Sequence, residues 1–386
     1  MLRPIAAPVS SITGVARTAV FFLKVLPMLP SKLVDWVTPD PIVEQVCYPT
    51  PTGETQGQLY RPGGSGPHPG VVVCLGVVPF DVDHPQVPRL GEALARAGFA
   101  SLLYWSPAMR DLRLVPDDVE GIALAYRWLI EQPNVDERCS GLIGTCVGGS
   151  FALMGAAHPM IRDRVGFVTA WAPYSSMRTF ACDIASASTS SGGERRPWEV
   201  DQLTRKVFVR SLTDVLDPVE ATILREACAE RDGALDPGVL SENGRAAYPL
   251  LTSLDVSAAD LVLERLPVPM QEKLDAMSPV RYVAGIRAPL IMLSHDYDDQ
   301  VIPIGESRRL RNAFGDRAGL RYTEFTMFKH LDPSKVKLSR LALVRELGRF
   351  FLSVYPVFRQ ATKPSSNPAA LGPSSRSAQS TSTSTG

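Results

Sequence analysis

The chain lacks a net charge, a closely spaced cysteine pair and a long uninterrupted apolar run. Forty Lys and Arg residues balance forty Asp and Glu residues, so no overall field favours nucleic acid or another strongly charged partner. The six cysteines are scattered, without a C-x-x-C pair or zinc-like histidine spacing. This pattern predicts reduced thiols in a cytoplasmic protein without a metal site.

The apolar stretch near the amino end, SITGVARTAVFFLKVLPMLP, is not a good candidate for a membrane span. Lys24 and two prolines interrupt it, whereas a spanning helix needs about 20 apolar residues. We therefore predict an amphipathic helical segment within residues 1–39 that packs on the body of the protein. Its spacing also fits peripheral contact with a membrane surface. The side chains predicted to face inward are Phe21, Phe22, Val25 and Leu26.

Buried strands and helices alternate over residues 40–175 and again over 285–355. An antiparallel hairpin, IVEQVCY and QGQLYRP, comes first and is expected at one edge of a sheet. The alternation that follows predicts an α/β fold, with a mostly parallel sheet flanked by helices on both faces. The main strands of this core are predicted at 70–77, 165–173, 288–296 and 320–328.

The alternation stops between the sixth strand and the strand at 288–296. Residues 176–284 instead contain helical spacing in EVDQLTRKVFVRSL, DPVEATILREACAERDG and SAADLVLERL. We interpret this segment as a helical cap inserted after the sixth strand. The core closes with a helix near 336–354, and residues 356–386 have too little apolar content to fold, so they are predicted to be disordered.

The segment GTCVGG carries the main indication of chemistry. A buried strand leads into Cys146, and a helix with two glycines follows directly. Small neighbours allow strand and helix to approach closely at such a sharp turn, called a nucleophile elbow. The positive helix amino end would also stabilise a thiolate at Cys146. The alternative is that Cys146 is a small core residue, as many free cysteines are.

A cysteine nucleophile requires a base and an acid that orients the base. In this architecture both follow the nucleophile, the acid after a late strand and the histidine after the last one. SHDYDDQVIP offers Asp296, Asp298 and Asp299, and FKHLDP offers His330. The other histidines are interpreted as surface or structural residues: His68, His84, His158 and His295.

Taken in order, GTCVGG, DDQVIP and KHLD resemble the α/β-hydrolase fold, and the cysteine elbow resembles the dienelactone hydrolase family. The resemblance implies Asp299 as the acid, four residues before a proline, with Asp298 as the alternative. It also implies an oxyanion hole made by the backbone N–H groups of Val147 and Val77. Dienelactone hydrolases carry a glutamate after the third strand, where this chain has CLGVVPFD, which argues against dienelactone itself as the substrate.

Three functions follow from these motifs. The leading one is hydrolysis of a small-molecule carboxylic ester, lactone or thioester through Cys146, His330 and Asp299 and an acyl-enzyme, with no metal or organic cofactor implied. The second is acyl transfer, because polyhydroxyalkanoate synthases have a similar G-x-C-x-G-G elbow and a late insertion. The third is a non-catalytic α/β-hydrolase relative that acts as a binding protein.

Overall fold

The computed structural model describes residues 7–26, 29–64, 66–77, 84–191, 194–228, 235–252, 254–328 and 339–362. Its centre is an eight-stranded sheet. In chain order, the strands of the described residues are β1 (Ile42–Thr50), β2 (Gly53–Arg61), β3 (His68–Cys74), β4 (Ala100–Tyr104), β5 (Val135–Thr145), β6 (Phe167–Trp171), β7 (Ser188–Ser191), β8 (Glu194–Pro197), β9 (Leu290–Asp296) and β10 (Leu320–Phe325).

The central sheet has the strand order β1-β2-β4-β3-β5-β6-β9-β10. The β1–β2 hairpin is antiparallel and forms one edge, as predicted, and β2 is also antiparallel to β4. All later neighbours are parallel. The predicted mostly parallel sheet is therefore confirmed, and the carboxyl ends of its parallel strands meet at one edge, where α/β enzymes place their sites.

Helices cover both faces of the sheet. Residues of β3 alternate between two cores: Val71 and Val73 belong to the core with Leu94 and Phe358, whereas Val72 belongs to the core with Ile122. The described helices are α1 (Ala7–Val25), α2 (Lys32–Val37), α3 (Gln86–Arg96), α4 (Pro107–Arg110), α5 (Asp118–Ile130), α6 (Val147–Ala156), α7 (Met177–Ser186), α8 (Gln202–Thr213), α9 (Pro218–Ala227), α10 (Glu242–Leu251), α11 (Val256–Arg265), α12 (Val268–Ala276), α13 (Ile304–Phe314) and α14 (Arg340–Gln360).

The amino-terminal helix α1 packs on the protein, as predicted. Phe21, Phe22 and Leu26 are buried. The Phe21 ring lies 5.2 Å from that of Phe358, and the Phe22 ring lies 5.3 Å from that of Phe350, centroid to centroid. These contacts fix α1 against α14. Within the described part of the chain, no helix has both the length and the apolar character needed to cross a membrane.

The closing helix α14 continues beyond its predicted end near 354 and includes Pro356. The helix continues past the predicted end because Val357 and Phe358 are apolar. In the helix they are buried against α1 and the sheet. Burial of these side chains outweighs the local cost of the proline. Of the predicted tail 356–386, residues 363–386 lie outside the described residues.

The segment between β6 and β9 is mostly helical. Helices α8, α9 and α11 overlap the three stretches with helical spacing, and α8 and α11 each extend one residue beyond theirs. The structure adds the antiparallel pair β7–β8, which the sequence did not predict because its residues are mainly serine and arginine. The short helix α4 and helices α10 and α12 were also not predicted.

A buried charged cluster joins the start of this inserted segment to the core. Glu306 of α13 accepts hydrogen bonds from the N–H groups of Ser175 (2.6 Å) and Ser176 (3.2 Å), and it pairs with Arg309. Arg309 also contacts Asp183 of α7 at 3.2 Å. Burial and the nearby Glu306 carboxylate raise the pKa of Asp183 to about 6. The cluster therefore holds the amino end of α7 in a fixed position on the sheet.

Replacing Glu306 by Gln should lower the free energy of unfolding by about 2 kcal/mol, because the Ser175 and Ser176 N–H groups and the half-buried Arg309 lose a charged acceptor. Urea denaturation followed by circular dichroism would measure this change. The matched control is Glu194→Gln, which removes an exposed pair with Arg196 and should cost less than about 0.5 kcal/mol. Equal losses in the two variants would contradict the anchoring role of Glu306.

Candidate active site

Cys146 lies at the turn between β5 and α6, at the carboxyl edge of the sheet. Its backbone has φ 55° and ψ −137°, a conformation that is strained for a residue with a side chain. Its N–H donates to the Trp171 carbonyl oxygen at 2.7 Å, which fixes the turn to the neighbouring strand β6. The elbow expected from the sequence is thus present. Strain of this kind occurs at functional sites and directs the side chain away from the sheet edge.

Glycines make this turn sterically possible. A Cβ atom at Gly144 would overlap the Gly148 carbonyl oxygen, and one at Gly148 would overlap the Cys74 carbonyl oxygen. Gly76 has φ +77°, and a Cβ there would lie 2.7 Å from the Gly148 nitrogen. The end of β3, the end of β5 and the start of α6 therefore approach one another at backbone distance.

Replacing Gly144 by Ala should destabilise the protein by at least about 2 kcal/mol, because the new methyl group meets backbone that cannot move without displacing Cys146. Thermal and urea unfolding would measure the loss. Gly348→Ala is the matched control, since Gly348 lies in α14 with no atom near its would-be Cβ. That change should stabilise the helix slightly. A neutral Gly144→Ala would contradict the close approach described above.

The two N–H groups proposed for an oxyanion hole lie beside this turn. Val147 is the first residue of α6, so its N–H points out of the helix without an intrahelical acceptor. Gly76, next to Val77, is close to Val147: a Cβ atom at Gly76 would lie 3.1 Å from Val147 Cγ2. Among the described residues, neither the Val147 nor the Val77 N–H has a backbone acceptor. Val147 and Val77 also line the cavity that contains Cys146.

The three candidate carboxylates after β9 differ in their environments. Asp299 is buried, and its Oδ1 accepts hydrogen bonds from the N–H groups of Val301 (2.8 Å) and Ile302 (3.0 Å). Asp298 is exposed. Asp296 is buried and accepts hydrogen bonds from the N–H groups of Phe328 (2.7 Å) and Asp298 (3.1 Å). Asp296 and Asp299 are thus both buried and each accepts two backbone hydrogen bonds, whereas Asp298 is exposed, so Asp299 as the acid stays a prediction.

His330, the predicted base, lies outside the described residues. The described stretch that contains β10 extends to Phe328. The Phe328 N–H donates to Asp296, at the start of the loop that carries Asp299. Tyr297 of the same loop donates its N–H to the Phe325 carbonyl oxygen at 2.7 Å. The chain therefore passes next to the Asp299 loop two residues before His330.

His295 takes part in the acid loop, a role that the sequence did not reveal. Its ring is fully buried, with Nε2 at 2.8 Å from the Ile302 carbonyl oxygen and 3.4 Å from Asp299 Oδ2. Nδ1 lies 2.5 Å from Ser307 Oγ. These contacts agree with the structural role inferred for His295. In the sequence, the only indication of its contact with Asp299 was the separation of four residues. The ring supports the backbone that positions Asp299.

A large cavity of about 1610 Å³ includes Cys146, Val147 and Val77 in its wall. Usual small-molecule sites measure about 300–1,000 Å³, so this cavity can hold more than a compact ligand. The inserted segment contributes apolar side chains to it, among them Met177, Phe180, Val207, Phe208, Leu274 and Met277. In the described ranges, no group of three or more His, Cys, Asp or Glu side chains could hold a metal ion.

Comparison with known proteins gives one local sequence match. No family model matches the chain. Over 108 residues, 28% of this chain, the sequence is 31% identical to acyl-coenzyme A amino acid N-acyltransferase 1 of Mus musculus. The match spans 25% of the length of that mouse protein.

Solved structures show the fold more broadly. DcsB, in complex with its substrate analogue, matches with a TM-score of 0.50 and 15% identity over 83% of this chain and all of that chain. The 2,6-dihydroxy-pseudo-oxynicotine hydrolase matches at 0.49 and 15%, over 85% of this chain and 72% of that one. A Klebsiella pneumoniae protein assigned as a dienelactone hydrolase matches at 0.45 and 12%, over 82% and 98%. The predicted α/β-hydrolase fold is confirmed.

Proposed function

We propose that this protein hydrolyses a carboxylic ester, lactone or thioester through a covalent acyl-enzyme on Cys146. The observation that carries the proposal is the strained Cys146 turn, with two N–H groups beside it and an open cavity in front of it. Hydrolases are also frequent among proteins of this fold. The buried Asp299, on the loop after a late strand, supports a triad of Cys146, His330 and Asp299.

In this mechanism His330 accepts the thiol proton, and the Cys146 sulfur attacks the carbonyl carbon of the substrate. The Val147 and Val77 N–H groups stabilise the oxyanion. The bond from the carbonyl carbon to the alcohol oxygen or thiol sulfur then breaks, and His330 returns the proton to that leaving group. Water adds to the thioester, releases the carboxylic acid and restores the thiol. Asp299 holds the imidazole of His330 and stabilises its protonated form.

The inserted segment 176–284 is proposed to act as a cap that selects the acyl group. Support comes from side chains of α7, α8 and α12 in the wall of the cavity that contains Cys146. A cap that excludes water lengthens the life of an acyl-enzyme and strengthens the interactions within the site. An apolar cap also favours substrates with hydrocarbon groups over small polar esters.

An acyl-phosphonate or activated-ester probe tests this function directly. Incubation of the full chain with the probe, followed by mass spectrometry of peptides, should place one acyl or phosphonyl group on the peptide with Cys146. The chain also carries five other cysteines, of which only Cys47 is exposed. Labelling confined to Cys47, with no modification of Cys146, would overturn the proposal.

Acyl transfer is the second candidate, and the local match to an N-acyltransferase supports it. In that case an amine, alcohol or thiol acceptor replaces water in attack on the acyl-enzyme. The partition between the free acid and the acylated acceptor, measured with glycine and with glycerol as acceptors, distinguishes the two reactions. Dominant formation of free acid at high acceptor concentration would support hydrolysis.

A further inference from the structure

Two groups of elements form the wall of the cavity that contains Cys146. One group belongs to the inserted segment. The other group is α1, α3 and α14, whose apolar side chains belong to the core on the other face of the sheet. We call this second part the α1–α14 lobe. Its wall includes Phe21 and Val25 of α1, Leu90 and Leu94 of α3, and Val354 and Phe358 of α14.

The two sides differ in polarity. Every side chain that α1 and α14 contribute to the wall is aliphatic or aromatic. Charged or amide side chains from α3 occur only in its first turn. By contrast, the side with the inserted segment also carries charged and polar groups, including Arg110, Asp111, Asp201, Gln202, Lys206 and Lys273. A hydrocarbon chain gains free energy in the α1–α14 lobe, whereas a charged or strongly polar group would lose its hydration there.

The volume of the cavity also supports a long substrate. The total cavity exceeds the volume of usual small-molecule sites, and Cys146 forms part of its wall. A substrate bound for attack must place its carbonyl carbon next to the Cys146 sulfur, so its acyl and leaving groups extend in different directions. The polarity difference then assigns the apolar group of the substrate to the α1–α14 lobe and the more polar leaving group to the side with the inserted segment.

We infer that the α1–α14 lobe binds the alkyl chain of a long-chain acyl substrate and that α1 is a specificity-determining wall of the site. The inference rests on the proposed function, in which Cys146 carries the acyl group. The amino-terminal helix, outside the sheet and its crossover helices, thereby becomes part of the substrate site. Val25 and Val354 are half-buried and line the lobe from the neighbouring helices α1 and α14.

Binding of saturated carboxylic acids from four to sixteen carbons to the Cys146→Ala protein tests this inference without turnover. Competition against 11-dansylaminoundecanoic acid gives Kd for each acid. Each methylene that enters the lobe should tighten binding about fourfold. In the same background, Val354→Trp should weaken binding of hexadecanoic acid by about 50-fold or more, equivalent to three excluded methylenes, and leave butanoic acid within about twofold.

Val15→Trp is the matched control, because Val15 lies on α1 but is exposed and outside the cavity wall. It should leave the whole series unchanged. Val25→Phe, in α1, provides a second variant if Val354→Trp lowers Tm by more than a few degrees. A chain-length series that is the same in parent, Val354→Trp and Val25→Phe would overturn the lobe assignment.

The two proposals fail in different ways. If the acyl probe labels Cys146 but chain length does not affect Kd, the proposed reaction stands and the lobe assignment is wrong. If Kd depends on chain length and on Val354, but the probe never labels Cys146, the lobe assignment stands as a binding site and the proposed reaction is wrong.

Discussion

Replacing Cys146 by Ala should reduce kcat for ester or thioester hydrolysis by several orders of magnitude while the protein stays folded. The sulfur is the atom that forms the acyl-enzyme, so its removal eliminates the covalent route rather than weakening it. Deleting one sulfur atom from the wall of an existing cavity adds little new void, so the free energy of unfolding should change by less than about 1 kcal/mol. A chain-length panel of nitrophenyl esters would measure the activity.

Cys47→Ala is the control for this experiment, because Cys47 is an exposed thiol on the edge strand β1. It should retain full activity and full labelling of Cys146. Near-normal hydrolysis by cleanly purified Cys146→Ala protein would remove Cys146 from the mechanism. In that case the strained turn would have to serve another purpose.

The second large effect concerns the acid. Asp299→Asn should lower kcat by about 10²–10⁴-fold, because Asn keeps the shape but loses the charge that stabilises protonated His330. The Oδ1 hydrogen bonds with Val301 and Ile302 can be kept by the Asn carbonyl oxygen, so the loop should stay in place. A Cys–His pair can ionise partly without help from the acid, which places the effect toward the lower end of that range.

Asp298→Asn is a control adjacent in sequence, and it should change kcat by less than about threefold. Asp298 is exposed. Its backbone N–H donates to Asp296 Oδ1, and the substitution preserves this hydrogen bond. The informative readout is the ranking of the two variants in matched assays. If Asp298→Asn proves the more damaging substitution, the acid assigned to this loop is off by one residue.

Local sequence patterns were sufficient for much of the core. Continuous apolar runs such as the one through Val71–Val73 require burial on both faces, and this condition places a strand in the middle of a parallel sheet. The glycines around Cys146 indicated a close strand-to-helix turn because no other residue fits such an approach. The resemblance to known families implied Asp299, four residues before Pro303, as the acid, with Asp298 as the alternative, and this assignment stays a prediction.

Other features depended on residues that are distant in sequence. The sequence around Glu306 gave no indication that this residue is buried. In the structure it is fully buried and accepts hydrogen bonds from the N–H groups of Ser175 and Ser176, more than a hundred residues earlier in the chain. The end of α14 was placed too early, because the low apolar content of the following tail was extended back to residue 356. The burial of Phe358 against Phe21, which is visible only in the folded chain, overrides it.

The sequence by itself determined the α/β class, the order of the main core strands, and a cysteine at a strand-to-helix turn followed by an acid and a histidine. These properties depend on short-range periodicity and on steric limits at single residues, so they can be read locally. Only the tertiary structure decided which side chains surround Cys146. The cavity wall combines α1, α3, α14 and the inserted segment, because hydrophobic burial brings together apolar faces regardless of their separation along the chain.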